Sequence, residues 1–172
     1  MLLCATKKSF TLIELLIVVM ILGLLAGITF PSFSNSFANL QLNNSVRDIS
    51  CLMKYAREKA IMQRKKYRLE FDITEKRYWL SREEDPINAP NQFKKLTTGI
   101  EDKKLPQNIS VKKILFPIGI SKFSHSYVSF YPDGSIDAAD IYLANKKGET
   151  AVISTETFGR IEVSQSKVKY QE

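Results

Sequence analysis

The sequence predicts an α+β chain in which one long N-terminal helix precedes a domain of antiparallel strands. Three observations carry this. An apolar run opens the chain, with a single carboxylate near its start. A three- and four-residue apolar period then continues to about residue 60. Beyond residue 66 the period changes to short alternating stretches separated by Gly, Pro, Asn and Asp.

From Phe10 to Phe30 there are 21 residues whose only ionisable side chain is Glu14. As a helix this run spans roughly 30 Å, the hydrocarbon thickness of a bilayer. Lys7 and Lys8 precede it, so the N-terminus is expected in the cytoplasm and everything after Pro31 on the far side. Pro31 is expected to bend or loosen the helix as it leaves the apolar zone. A secretory signal peptide needs a small-residue cleavage site, and Thr29-Phe30-Pro31-Ser32-Phe33 is a poor one. Cys4 stands before the apolar run rather than after it, against a lipoprotein signal. A plain signal anchor accounts for the length and the lysines but not for Glu14. A carboxylate at mid-membrane costs about 2.5–3.5 kcal/mol, less toward the end of the helix where Glu14 sits, and it wants a partner.

Lys8-Ser9-Phe10-Thr11-Leu12-Ile13-Glu14-Leu15-Leu16 resembles the class III signal of type IV pilins and type II secretion pseudopilins. The resemblance implies that a prepilin peptidase cuts between Ser9 and Phe10 and methylates the new Phe10 amine. Ser9 stands where the family usually has glycine; it is small enough to enter a protease site. The resemblance further implies that Glu14 of an incoming subunit pairs with the Phe10 amine of a neighbour, favouring correct register in a stack of helices. It also implies a pilin-like fold, the second half of the helix packing on the β domain. The expected organisation is a leader at 1–9, a transmembrane and assembly helix at 10–31, an amphipathic continuation at 32–66 and an antiparallel β domain at 67–172.

Loss of nine residues leaves 163, enough for the helix and one ordinary domain. Without Lys7 and Lys8 the chain has 23 basic against 18 acidic residues, and the net charge falls from +7 to +5. Lys and Glu are interspersed, which reads as a solvated surface. Cys4 leaves with the leader, so Cys51 has no internal partner. It is expected as a buried thiol among Ile49, Met53 and Ala56, with an intermolecular disulfide as the alternative.

The expected apolar stripe comprises Phe33, Phe37, Leu40, Val46, Ile49, Met53, Ala56 and Ala60, with a wider gap at Asn43-Asn44. Arg47, Asp48, Lys54, Arg57, Glu58 and Lys59 take the solvent face. A free coiled coil is the alternative, but no sustained heptad follows residue 66. Tyr67–Asp72 and Arg77–Leu80 read as a hairpin. Residues 83–108 read mainly as loop, with one short strand near Phe93–Leu96. Further strands are expected at Ile109–Phe116, Tyr127–Tyr131, Ile136–Ala144, Thr150–Ser154 and Gly159–Val163. Turns at Pro132-Asp133-Gly134-Ser135, Asn145-Lys146-Lys147-Gly148 and Thr157-Phe158-Gly159 separate the last of them. The stretch 128–163, with its Pro-Asp-Gly turn and closing Gly159-Arg160, resembles the C-terminal half of the GspH/FimT subgroup.

Catalytic chemistry finds no support. His125, the only histidine, lies between Ser124 and Ser126 in an expected loop without a supporting nucleophile or orienting acid. Asp133, Asp137 and Asp140 do not have EF-hand spacing; Asp133 reads as a turn residue and the other two as solvated. No catalytic residue, metal site or cofactor is expected. The resemblance implies a minor pseudopilin or pilin near the tip of a periplasmic pseudopilus. Its partners would be the prepilin peptidase, the major and other minor subunits, the inner-membrane assembly platform and secreted proteins. The alternative is a FimT-like minor pilin that binds DNA through Arg160, Lys167 and Lys169. There Glu162 replaces the second basic residue that follows the Gly-Arg pair in DNA-uptake relatives.

Overall fold

The computed structural model describes residues 10–96, 102–117 and 125–166, with side chains described except at 27–36, 125 and 165–166. The chain divides into two units, Met1–Phe37 and Ala38–Glu172. Helix α1, Leu12–Gln63, contributes to both. Its helical assignment runs through Pro31, whose side chain is outside the described set.

In the second unit α1 buries Leu42, Val46, Ile49, Met53, Ala56 and Ala60, a 4-3-4-3-4 spacing that keeps one face inward. This phase corrects three expectations. Leu40 is 55% exposed, because two positions from Leu42 means about 200° around the helix. Phe37 is exposed as well, and Phe33 lies outside the described side chains. Cys51 is exposed rather than buried for the same reason as Leu40, being two positions from both Ile49 and Met53. The helix stops at Gln63, short of the expected residue 66, because Arg64 takes a left-handed φ of 50°.

Among the described residues nine strands follow: β1 Tyr67–Asp72, β2 Arg77–Asp85, β3 Ala89–Lys95, β4 Asp102–Lys104, β5 Ile109–Leu115, β6 His125–Phe130, β7 Ala139–Asn145, β8 Thr150–Thr155 and β9 Ile161–Ser166. They form two antiparallel sheets. The first has the order β3-β2-β1-β6, with β4 also on β2, and the second β5-β7-β8-β9. An isolated bridge, Phe130↔Ile136, marks the passage from one to the other. In the β1–β2 hairpin Tyr67 faces Arg82 and Asp72 faces Arg77, so Tyr67, Leu69 and Phe71 share the buried face with Tyr78 and Leu80. The α1 stripe joins these residues, Phe130, Ile141, Leu143 and Ile153 in one core.

The segment 83–108 is more ordered than its composition suggests, since β2 runs on to Asp85 and is flanked by β3 and β4. Charge and proline hid these strands from periodicity because β3 is held by ladder hydrogen bonds rather than by burial. It pairs on the described side with β2 alone, so Pro90 costs no ladder bond there. Glu83 pairs opposite Phe93 just before a register shift, on the sheet face away from Leu80, and its buried carboxylate accepts from the Asn91 amide at 2.7 Å. His125, expected in a loop, begins β6 opposite Asp72.

Candidate assembly site

The described part of the first unit is chemically simple. From Phe10 to Ala26 every side chain is exposed, and Phe10, Leu12 and Met20 are 72%, 84% and 65% accessible. Water is a poor partner for such a surface. Each large apolar side chain gains roughly 1.5–3 kcal/mol when it is covered, so lipid or a neighbouring helix is the stable environment. The helix begins at Leu12, with Thr11 as its N-cap: the Glu14 amide donates to the Thr11 carbonyl at 3.1 Å and to its hydroxyl at 3.4 Å. Thr11 and Glu14 have the Thr-x-x-Glu spacing of a capping box, and the carboxylate lies in the first turn, on the positive end of the helix dipole. Glu14 is thus held at the start of an otherwise apolar surface.

Among the described residues no helix is long and apolar enough to cross a membrane. The described side chains of this segment end at Ala26, so the expected span to Pro31 runs beyond them. Ser9, on the expected cleavage bond, and Lys167 and Lys169 also lie outside the described residues. Of the residues in the DNA-binding alternative only Arg160 is described. It is exposed and paired with Glu162 at 3.3 Å, so the local charge is neutralised within β9 and its turn.

A different arginine organises that end of the domain. Arg57, expected in solvent, is half-buried, and its Nε donates to the Gly134 carbonyl at 2.8 Å. Its guanidinium also lies over Gly159, where an added Cβ would meet it at 2.4 Å. One side chain of α1 therefore fastens both the Pro132–Ser135 turn and the β8–β9 turn. The signal was present only as an arginine three positions from Lys54, which reads as a polar face.

The Pro-Asp-Gly turn is built by its own side chains. Asp133 accepts from the Ser135 hydroxyl at 2.6 Å and amide at 2.9 Å; these bonds hold its carboxyl below the usual range. Asp137 is not a solvated position: it accepts from the Ser129 amide and the Tyr131 hydroxyl, both at 3.0 Å. Burial, with Asp137 beside it, raises the Tyr131 phenol. No group of three or more His, Cys, Asp or Glu suited to a metal occurs among the described residues. The three aspartates do structural work where they have described bonds.

Comparison with known proteins places both units. A family model for the prokaryotic N-terminal methylation motif matches residues 4–30. A fimbrial protein of Pseudomonas aeruginosa is 46% identical over 59 residues, 34% of this chain; the chain spans about 38% of the length of that curated relative. The fold is similar to that of the minor pseudopilin EpsH from the type 2 secretion system of Vibrio cholerae, with a TM-score of 0.58 at 10% identity, covering 73% of this chain and 97% of that one. It is also similar to the type IV minor pilin FimU of Pseudomonas aeruginosa, with a TM-score of 0.51 at 15% identity, covering 77% and 97%. At these identities the likeness is one of fold. An N-terminal helix packed on antiparallel sheets, preceded by a prepilin methylation motif, is the pilin-like architecture.

Proposed function

We infer that this chain, which carries a prepilin methylation motif and folds as pilin-like minor subunits do, is a minor pseudopilin of a type II secretion system. Its role is structural. A prepilin peptidase cuts between Ser9 and Phe10 and methylates the Phe10 amine. The helix of residues 10–31 holds the subunit in the inner membrane until the assembly platform adds it to a filament of major and minor subunits. The β domain, on the periplasmic side, presents a surface to other subunits near the tip or to secreted proteins.

The observation that supports this most is the chemistry of residues 10–26: a wholly exposed apolar surface whose single charge, Glu14, is fixed beside the prospective new N-terminus. The Phe10 amine created by cleavage is a cation at the start of an apolar helix, and it needs a partner of opposite charge. Glu14 of the neighbouring subunit supplies one, and in low dielectric an unpaired charge of either sign is costly. Stacking in register satisfies both. Arg160, engaged by Glu162, gives the DNA-binding alternative no comparable support.

Intact mass of the membrane-extracted protein, with and without the native prepilin peptidase, tests this. Loss of residues 1–9 and gain of one methyl only with the peptidase is the expected result; an unchanged mass with the active peptidase contradicts it. Glu14→Gln lies downstream of the scissile bond, so it is expected to be cut normally yet absent from sheared filaments. Undiminished incorporation of that variant would remove the charge-pairing mechanism.

A further inference from the structure

The outer face of the second sheet carries a feature that helix assembly does not use. A groove of about 500 Å3 opens over β5, β7 and the start of β8, and four lysines from three separate segments reach it: Lys76, Lys112, Lys113 and Lys146. No Asp or Glu is among the described residues that line it. We propose that this lysine-lined groove is a docking site for an acidic segment of a partner polypeptide.

The groove has a specific origin in the fold. Consecutive strand residues normally face opposite sides of a sheet. In β5 the register shifts between Val111, opposite Leu143, and Lys113, opposite Tyr142, so Lys112 is an extra, bulged residue. The burial pattern resets across it: Ile109 and Val111 point inward before the bulge and Ile114 after it. Two adjacent lysines therefore emerge on one face. Lys146 comes from the β7–β8 turn, which Asn145 shapes by accepting the Lys147 and Glu149 amides at 3.0 and 3.1 Å, with Gly148 at a φ of 82°. The same Asn145 donates to the Glu149 carboxylate at 2.5 Å, engaging the acid closest in sequence. Lys76 belongs to the other sheet's β1–β2 turn, and its ammonium donates to the Gln107 carbonyl at 3.0 Å on the groove wall.

Lysines and a bulge on an edge strand also deter edge-to-edge aggregation. That role accounts for Lys112 and Lys113 but not for Lys76 and Lys146, which come from turns and converge on the same cavity. Four lysines against one nearby carboxylate, Glu149 on Asn145, leave the groove with net positive charge, the electrostatic complement of an acidic ligand. The lining favours a polypeptide. The Lys113 ammonium lies 4.6 Å above the Tyr142 ring centroid, over a face that a nucleobase needs for stacking. The Ser110 hydroxyl completes the lining, the Asn108 and Asn145 amides being bonded to Gln41 and to the β7–β8 turn.

The test uses the full chain in a non-ionic detergent and labelled hexaglutamate, with hexaglutamine as the uncharged control, read by fluorescence anisotropy. Hexaglutamate is expected to bind and hexaglutamine not, with affinity falling as ionic strength rises from about 50 to about 500 mM. The variant K112Q/K113Q/K146Q is expected to weaken binding by about tenfold or more, whereas K112R/K113R/K146R retains it. The equally neutralised control K54Q/K59Q/K94Q, at positions on α1 and β3 that do not line the groove, is expected to bind as the parent does. Circular dichroism melting checks that the variants remain folded. Absence of hexaglutamate binding, or equal loss in both glutamine variants, overturns the proposal. So does tighter binding of oligothymidylate that the groove variant abolishes, which would make the occupant a nucleic acid. None of these readouts depends on filament assembly, so the groove and the pseudopilin reading fail separately.

Discussion

Gly159 shows how much one residue position can depend on a distant one. Its φ of 86° already disfavours any side chain, and the Arg57 guanidinium occupies the place where a Cβ would go. Two separable penalties follow. Gly159→Ala is expected to destabilise the domain by about 2 kcal/mol or more, of which roughly 1 kcal/mol is backbone strain. In an Arg57→Ala background the clash is absent, so the same substitution is expected to cost only the strain. Urea unfolding of the four proteins of this double-mutant cycle measures the coupling. Additive effects would mean that Arg57 does not press on the turn. The conformation of the turn was legible in Thr157-Phe158-Gly159, whereas Arg57 looked like an ordinary solvent-facing charge. Cys51 repeats the lesson at a smaller scale: its apolar neighbours suggested burial, and its angular position on the helix excluded it.

Among the elements, β4 is the one held most by charge. It has three residues, none of them fully buried, and Asp102 Oδ2 accepts from Arg77 and Lys95, each at 2.9 Å. The hydrogen bond from Lys95, outweighing partial burial, holds the Asp102 carboxyl below its ordinary range. A carboxylate whose folded pKa is depressed contributes stability above the unfolded value, near pH 4, and loses it as pH falls through the folded value. Asp102→Asn is therefore expected to reduce stability by about 0.5–1 kcal/mol at pH 7, in the range of partly exposed ion pairs. The difference is expected to close in acid, as pH falls through the depressed folded value. Denaturant unfolding at a series of pH values checks this, and a difference that persists in acid would mean packing rather than charge. Strands such as β1 and β8 could be read from the sequence because burial imposes a pattern on them. β4 could not, and of β3 only the end near Phe93 was read, because strands that are hydrogen-bonded without being buried leave no apolar period.

For the whole molecule, the separation into two units has a direct consequence. Among the described residues the hydrophobic core draws on positions from Leu42 to Ile153, with Ile161 packed against it, all of them in the second unit. A chain of residues 38–172 is accordingly expected to fold alone, with a cooperative thermal transition and mixed helix–strand circular dichroism. A non-cooperative melt would show that the apolar helix is needed for folding as well as for the proposed assembly. The methylation motif at residues 4–30 was legible in the sequence alone, because its residue types stand at fixed spacings within one short stretch. The existence of most strands and their turns was legible for the same reason, since alternation and turn residues are local. Only the tertiary structure decided which strands share a sheet, with β6 returning to β1 while β5 joins β7. It alone seated Arg57 between two turns and brought lysines from three segments into one groove. Those outcomes depend on contacts between residues far apart in the chain, and local pattern carries no record of which distant surfaces will meet.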